Sequence, residues 1–343
     1  METTQFTALS SAEKRDLLIS ASSTLPYALG YFPEDSFIVI GLNCSHGTDV
    51  LIGPVARLDL DDIAQMWPRE LTDTLQPIMR FPLAACLVVV TTEHIARLSD
   101  AIDVACAEID RKLAVIGTVV IDDTDVVVND DEGGHSSISR TMWESTPEVM
   151  RMVVEGRTTQ DSLDSFALPE PEAAAVSDGP EAGEFEPSQL RTFWSAIEQG
   201  VASREMHVAL ACAMLDRVTR DTVIASLIER GDSVPSFAGY SKERINEACI
   251  AGPPRSTKDF HHAYGVFARL AHHVRGPIHA AMCGIAGYLA WYAGDGVRAR
   301  ILTDQCLATD ANYSLALLVR AALSVGMPPP WKVGEQEAFR AAS

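Results

Sequence analysis

Apolar positions in the first half of the chain come in short runs. These are Phe37–Leu42, bounded by turn residues, Ala84–Thr91 and Leu113–Ile121. The continuous run Phe37–Leu42 suits a central strand covered on both faces, Ala84–Thr91 reads as a second buried strand and Leu113–Ile121 as another. Between them the period changes. Leu17, Leu18, Ala21 and Leu25 repeat at helical spacing behind Ser10 and Glu13, a capping-box pair. Ile63, Met66, Trp67, Leu71, Leu75 and Ile78 predict a helix over 61–80, with Pro68 as a break. Ile95, Leu98, Ile102, Ala105 and Ile109 predict another over 93–112. That helix, lying between strands 84–91 and 113–121, makes a crossover of the length that pairs strands in parallel. A strand over 50–58 follows the first one. Asp125–Asn129 with the Gly133-Gly134 turn predicts an edge hairpin, and Met142, Trp143, Val149, Met150, Val153 and Val154 predict helix within 139–167.

The second half carries the helical period throughout. Helices are predicted over 188–202, 205–216, 219–230, 241–250, 256–275, 277–293, 296–309 and 313–325. Gly231, Gly252, Gly276 and Gly326 act as stops, and Ser256 with Asp259 forms a capping box. Gly287, Gly294, Ala299, Cys306 and Ala311 fall where a tetratricopeptide unit places its small residues, over one unit only. Between the halves, residues 169–187 hold four prolines, two glycines and uncompensated acids, the composition of an extended, self-repelling linker. The expected layout is an α/β domain over 1–167, with helices on a partly parallel mixed sheet. An acidic Pro/Gly linker over 168–187 follows, then an all-α domain over 188–332 ending in a tetratricopeptide-like helix hairpin. Residues 333–343 form a flexible tail.

The stretch from Leu25 to Leu42 organises the first domain. Gly30 takes positive φ where the first helix stops. Pro33 pre-sets a turn, and Asp35 and Ser36 are placed to bond local backbone amides before the strand begins. The pattern Pro26-x-x-Leu29-Gly30-x-x-Pro33-x-Asp35-Ser36, followed by an apolar strand and Gly41, resembles the opening of an actinobacterial family, domain of unknown function 4192. Arg57-Leu58-Asp59-Leu60 resembles that family's next block, and Gly156-Arg157 with Ser162-Leu163 a middle one. Gly294-Asp295-Gly296 through Asn312-Tyr313-Ser314-Leu315-Ala316, and the run Gly326-Met327-Pro328-Pro329-Pro330-Trp331, resemble its C-terminal block. The similarity runs from about residue 10 to 331. It departs around 129–145, where the family has an aromatic-rich strand and this chain has Asn129-Asp130-Asp131-Glu132-Gly133-Gly134. The resemblance implies a two-part α/β-plus-helical protein and no assigned activity.

Charge separates the halves further. Residues 1–167 hold 27 acids against 11 bases, residues 168–187 six acids and no base, and residues 188–343 14 acids against 16 bases. The net charge of −20 repels phosphate backbones and anionic lipid, so neither nucleic acid nor membrane is an expected partner. No apolar run approaches the ~20 residues that span a bilayer, and Met1-Glu2-Thr3-Thr4 opens no secretory signal, so a cytoplasmic protein is expected.

Candidate chemistry is sparse. The seven cysteines are widely spaced, with no Cys-x-x-Cys pair, which argues against a disulfide framework or a structural zinc site. Most fall within apolar periods as small core residues, Cys44 beside a loop being the exception. Cys44 and His46 stand in a turn, not in a nucleophile–base arrangement. His261, His262, His272, His273 and His279 lie close in sequence. Positions 261 and 272 share a helix face but stand roughly 16 Å apart, too far to hold one metal. Six acids from Asp122 to Glu132 lack EF-hand spacing and read as a solvated edge that blocks strand addition. There is no Gly-x-Ser-x-Gly elbow, no phosphate loop and no dinucleotide fingerprint. No catalytic, metal or cofactor site is therefore expected. Two functions remain: an interaction or regulatory module, whose helical half binds a protein partner or a second copy, and an enzyme or small-ligand binder. The second would use the strand ends of the α/β domain, with Asp35, Ser36, Arg57 and Asp59 as the ligand-binding candidates.

Overall fold

The computed structural model describes residues 6, 9–44, 50–81, 83–93, 95–155, 157, 159–160, 162–177, 185–230, 234–250 and 257–332. Cys44 and His261 are described in backbone only. His46, Gly156, Gly231, Gly252, Ser256 and the 333–343 tail lie outside the described residues. The chain divides into two units, one up to Ser162 and one beginning at Leu163.

The first unit begins with α1 (Ser11–Ser23), started by the expected capping box: Ser10 N–H donates to Glu13 at 2.8 Å, and Glu13 N–H donates back to Ser10 Oγ. Helix α2 (Leu25–Leu29) ends on Gly30 at φ 81°, which only glycine adopts freely. The sheet then builds from β1 (Ser36–Cys44), β2 (Val50–Asp59), β3 (Ala85–Thr91), β4 (Val115–Ile121), β5 (Asp125–Asp130) and β6 (His135–Ser139). Its strand order is β2-β1-β3-β4-β5-β6. The β3–β4 pair is parallel and every other pair antiparallel.

The continuous apolar runs are central strands with both faces covered. Ile38, Ile40, Leu42, Leu87 and Val89 face one core, which α1 covers with Leu18, Ala21 and neighbouring Leu25. Phe37, Val39, Cys86, Val88 and Val90 face the other. Each such side chain contributes about 1.5–3 kcal/mol when removed from water. The second face is covered by α3 (Leu60–Gln65), α4 (Pro68–Thr74), α5 (Gln76–Met79) and the crossover helix α6 (Ile95–Asp110). The single helix expected over 61–80 is thus three short ones, because Pro68 and Pro77 lack the amide that would continue the ladder.

The edge hairpin β5–β6 forms as expected, with Gly133 at φ 86°. Its acids are mostly exposed, and two of them pair with a buried cation. The ammonium of Lys14, 1% exposed, bonds Asp131 at 2.7 Å and Glu132 at 2.8 Å. Asp130 caps the turn by accepting from the Glu132 and Gly134 amides. The helix expected over 139–167 breaks into α7 (Arg140–Trp143), α8 (Pro147–Val154) and a 3-10 turn at Leu163–Phe166. Thr146 caps a fresh helix at Pro147, so α7 cannot run on.

The second unit is helical: α9 (Pro187–Glu198), α10 (Arg204–Ala213), α11 (Arg217–Arg230), α12 (Lys242–Ile250), α13 (Thr257–His273), α14 (Pro277–Ala293), α15 (Gly296–Thr309) and α16 (Ser314–Ser324). Helix α14 is buried on nearly every side and is the axis of this core. Gly287 lets α15 approach it: a Cβ there would lie 2.9 Å from Thr303 Cγ2. Ala299 and Cys306 are buried in the same seam, while Ala311 is exposed.

Residues 168–176, placed in the acidic linker on composition, are strapped to this unit. Leu168 gives both backbone groups to the Gln305 side chain, at 2.9 and 2.7 Å. Val176 makes a parallel bridge to Val274. Charge counted along the chain finds no cation near Glu172, yet folding brings Arg204 and His273 to it. Among the described residues no helix is long and apolar enough to cross a membrane.

Candidate functional site

An open sheet with one parallel pair has a crevice at the carboxyl ends of that pair, where the chain turns away to either side. Here Thr91, the last residue of β3, runs on into Thr92-Glu93, and Ile121, the last of β4, into Asp122-Asp123. The Thr92 amide donates to the Ile121 carbonyl at 3.1 Å and holds the two ends together. Phe32, Glu34 and Asp35 enter from the segment before β1, and Arg140 from the end of β6. Together these residues line a cavity of about 300 Å³.

Each side chain is set by local structure. Asp35 sits at φ 36°, the one non-glycine residue with positive φ among those described. Its carbonyl accepts from the Leu60 amide at 2.9 Å, and its Oδ1 accepts from the Thr92 hydroxyl at 2.8 Å. Asp122 closes an Asx turn, accepting from the Asp125 and Thr124 amides at 2.7 and 2.8 Å. Those amide bonds, Asp125 first, favour the ionised form and lower its pKa. Thr91 is buried and accepts from the Ser36 amide at 3.2 Å. The Arg140 guanidinium lies 4.2 Å from the Phe32 ring centroid, bonds Glu144 at 2.9 Å and stands 3.7 Å from Asp123. It is therefore held by carboxylates already in place. Glu34, Asp35, Glu93 and Asp123 are exposed, so the mouth is predominantly anionic.

The four candidates from the sequence divide between two places. Asp35 lines the cavity. Ser36, Arg57 and Asp59 form a chain beside it: Arg57 Nε donates to Ser36 Oγ at 2.8 Å, and Arg57 Nη2 to Asp59 at 2.5 Å. The register explains this, since Ser36 faces Asp59 across β1–β2 and Arg57 lies two residues back on the same face. Ser36 is fully buried, and its hydroxyl donates to the Glu34 carbonyl at 2.6 Å. Neither Asp35 nor Ser36 uses its side chain on a local amide, as the turn reading expected. The β1 entry is pinned instead across the sheet end, through Thr92 and Arg57.

The cavity residues absent from the sequence reading are Phe32, Glu34, Thr91, Thr92, Glu93 and Arg140. A signal existed for three of them. Thr91-Thr92-Glu93 and Asp122-Asp123 directly follow the two apolar strands of the predicted crossover, and parallel pairing puts those ends side by side. Arg140 had no such signal, because the hairpin that delivers it could not be registered from sequence.

The remaining chemical groups are elsewhere. Cys283 Sγ lies 3.6 Å from His279 Nδ1, both buried, and burial pushes the thiol up, away from the reactive thiolate. His272 and His273 meet Glu172, joined by His207, which the sequence reading had not singled out. Among the described residues no three His, Cys, Asp or Glu side chains are placed to share a metal ion.

A family model described as a domain of unknown function, DUF4192, matches residues 20–125 and 144–330. The chain belongs to the DUF4192 family. Comparison with curated proteins and with solved structures gives no match. The DUF4192 match breaks over 126–143, which holds most of the β5–β6 hairpin and Arg140. All other cavity residues, and the Ser36–Arg57–Asp59 chain, lie within the matched segments of the DUF4192 model.

Proposed function

We propose that this DUF4192 protein is a non-catalytic binding module whose first unit holds a small cationic ligand at the carboxyl ends of β3 and β4. The observation that carries the reading is the cavity of about 300 Å³ there, a size suited to a small molecule, with Asp35, Asp122, Asp123, Glu34 and Glu93 around it. The one guanidinium among the described lining residues, Arg140, is already engaged by Glu144 and Asp123, which supports a cation over an anion as occupant. Asp122 in particular is not suited to be a general base. A general base works best with its pKa near the operating pH, and Asp122 is shifted the other way. In this reading Asp35 contacts the ligand, while Ser36, Arg57 and Asp59 hold the β1 entry that carries it.

The same proposal places nucleic acid and anionic membranes outside its partners, on its net charge of −20, and retains the cytoplasm as its expected location. Isothermal titration with 1,4-diaminobutane, glycine and ATP tests it. The diamine is expected to bind, and Glu93→Gln with Asp123→Asn to weaken it at least about tenfold, the worth of one charge-assisted bond. Preferential binding of ATP, or an unchanged diamine affinity in the double variant, overturns it.

A second reading is carried by α16. Its inner face buries Ala316 and Val319, and its outer face exposes Leu317 and Leu318, with exposed Val325 following at its end. A helix apolar on both sides is ordinarily covered, which supports a protein partner or self-association there. The tetratricopeptide-like pattern of the α14–α15 hairpin belongs to that reading. Light scattering of the wild type and Leu318→Asp decides whether this face joins two copies: a dimer that the substitution dissolves supports self-association, and a monomer in both rules it out.

A further inference from the structure

The cavity at the ends of β3 and β4 already holds a cation from its own chain. The Arg140 guanidinium lies 4.2 Å from the Phe32 ring centroid, inside the ~6 Å over which a ring face attracts a cation. Its Nε donates to Glu144 at 2.9 Å. Its Nη1 donates to the Asp122 carbonyl at 3.4 Å and stands 3.7 Å from Asp123 Oδ1. The Phe32 ring is fixed by buried Trp143, which meets it edge-on with centroids 6.3 Å apart. Trp143 is tied down in turn, its indole N–H donating to Ser22 Oγ at 2.9 Å. An aromatic face with acceptors around its rim matches a planar guanidinium in shape and charge. Phe32, Asp122 and Asp123 all line the cavity.

Arg140 is placed to leave. Its two carboxylate partners, Glu144 and Asp123, are 52% and 71% exposed, and ion pairs so exposed hold weakly. The backbone beneath it is anchored without the side chain: the Arg140 amide donates to the Thr124 carbonyl at 2.9 Å, and Ser139 Oγ accepts from the Met142 amide to cap α7. Glu34, Asp35 and Glu93 line the same cavity, so it stays anionic whichever guanidinium sits on Phe32. Seat and occupant also come from different parts of the chain. Phe32, Asp122, Asp123 and Glu144 lie in the segments that the DUF4192 model matches, and Arg140 lies in its break.

We propose that the ligand of this cavity carries a planar guanidinium end that sits on the Phe32 face, and that Arg140 is an internal occupant of that seat which the ligand displaces. The inference rests on the cationic-ligand reading and narrows it to guanidinium compounds. An ammonium of equal charge still meets the carboxylates, but it is compact and strongly hydrated and does not stack on the ring as a guanidinium does. Displacement exchanges one guanidinium for another at the ring and at the Asp122 carbonyl. Arg140 therefore weakens ligand binding by the fraction of time it covers the seat. A tenfold gain on its removal corresponds to a seat left open about a tenth of the time.

Titration calorimetry of the full chain with agmatine and 1,4-diaminobutane tests this, because the two compounds share a butylamine chain and a charge and differ at one end. Arg140→Ala is expected to bind agmatine at least about tenfold tighter than the wild type, and the diamine less than about threefold tighter. Adding Phe32→Leu to Arg140→Ala should cancel the agmatine gain. In the wild type, saturating agmatine should move the Arg140 Nε–H signal in an NMR spectrum, a readout that needs no variant to fold. An agmatine affinity unchanged or weakened in Arg140→Ala makes the side chain a clamp, and an equal gain for both compounds makes it a charge alone; either overturns the proposal. So does a gain that survives Phe32→Leu, or an Nε–H signal that stays in place while agmatine is bound. If the wild type binds the diamine and the agmatine gain is absent, the cationic-ligand reading stands and the guanidinium seat falls. If neither compound binds wild type or variant, both fall.

Discussion

Asp35 stores strain at the proposed site, and a substitution series can measure it. At φ 36° its backbone lies in the left-handed region, held by the Leu60 amide on its carbonyl and by Thr92 on its side chain. That region costs a side-chain-bearing residue roughly 1–2 kcal/mol, least for Asp and Asn, whose short polar side chains bond locally. The Thr92 bond, at an exposed carboxylate, returns about 1 kcal/mol. Asp35→Ala keeps the backbone strain, adds about 1 kcal/mol to it by removing the tolerant side chain, and loses the bond, for a total near 2 kcal/mol. Asp35→Gly loses the bond but removes the strain, so the two changes cancel to within about 0.5 kcal/mol. Asp35→Asn keeps both features and changes stability little. Native-state hydrogen exchange of the Val39 and Val88 amides reads the opening of this unit separately from the helical one. The expected order is Ala well below Gly, Asn and wild type. Alanine as stable as wild type, or glycine as poor as alanine, would refute the reasoning. Asp35→Gly should also bind the diamine more weakly in spite of its stability, which separates a ligand contact from a structural one.

Further outcomes follow from packing. Gly117→Ala places a Cβ 2.5 Å from the Asn129 carbonyl oxygen and 2.6 Å from Leu18, and urea unfolding should show a loss of about 1–3 kcal/mol. Lys14→Met leaves Asp131 and Glu132 without their ammonium, so exchange of the β5–β6 amides should rise ahead of β3, and more at low salt than at high salt. Gln305→Leu takes both backbone partners from Leu168, and limited proteolysis should then cut within 163–176 while α14 stays intact. Cys86 and Cys106 are pushed up to about 12 by burial, so both remain thiols at pH 8. Iodoacetamide should spare them in the native protein and label them in urea.

Much of this architecture could be read from the sequence because its signals are local and redundant. The run from Phe37 to Leu42 has no polar interruption, and β1 is accordingly central. Each helix of the second unit lies within a few residues of its expected range, because glycine stops and apolar periodicity agree there. The failures have a common cause. The strap was read as linker since the partners of Glu172 lie some thirty and a hundred residues away in sequence. Thr146 and Pro147 ended α7 through a capping choice that periodicity does not register. Of the site, Asp35 was legible and the adjoining Ser36–Arg57–Asp59 chain was found as a group. Arg140 entered only through the pairing of β5 with β6, whose register the sequence does not state.

The central claim is that a small cationic molecule occupies the cavity at the ends of β3 and β4. Native mass spectrometry of the full chain, purified from its own host and then titrated with 1,4-diaminobutane, tests it most directly. The account predicts one bound basic molecule per chain, as isolated or after titration, that leaves on denaturation and is absent from the Glu93→Gln/Asp123→Asn variant. An anionic adduct, an adduct retained by that variant, or a bare chain that takes up no diamine would contradict it.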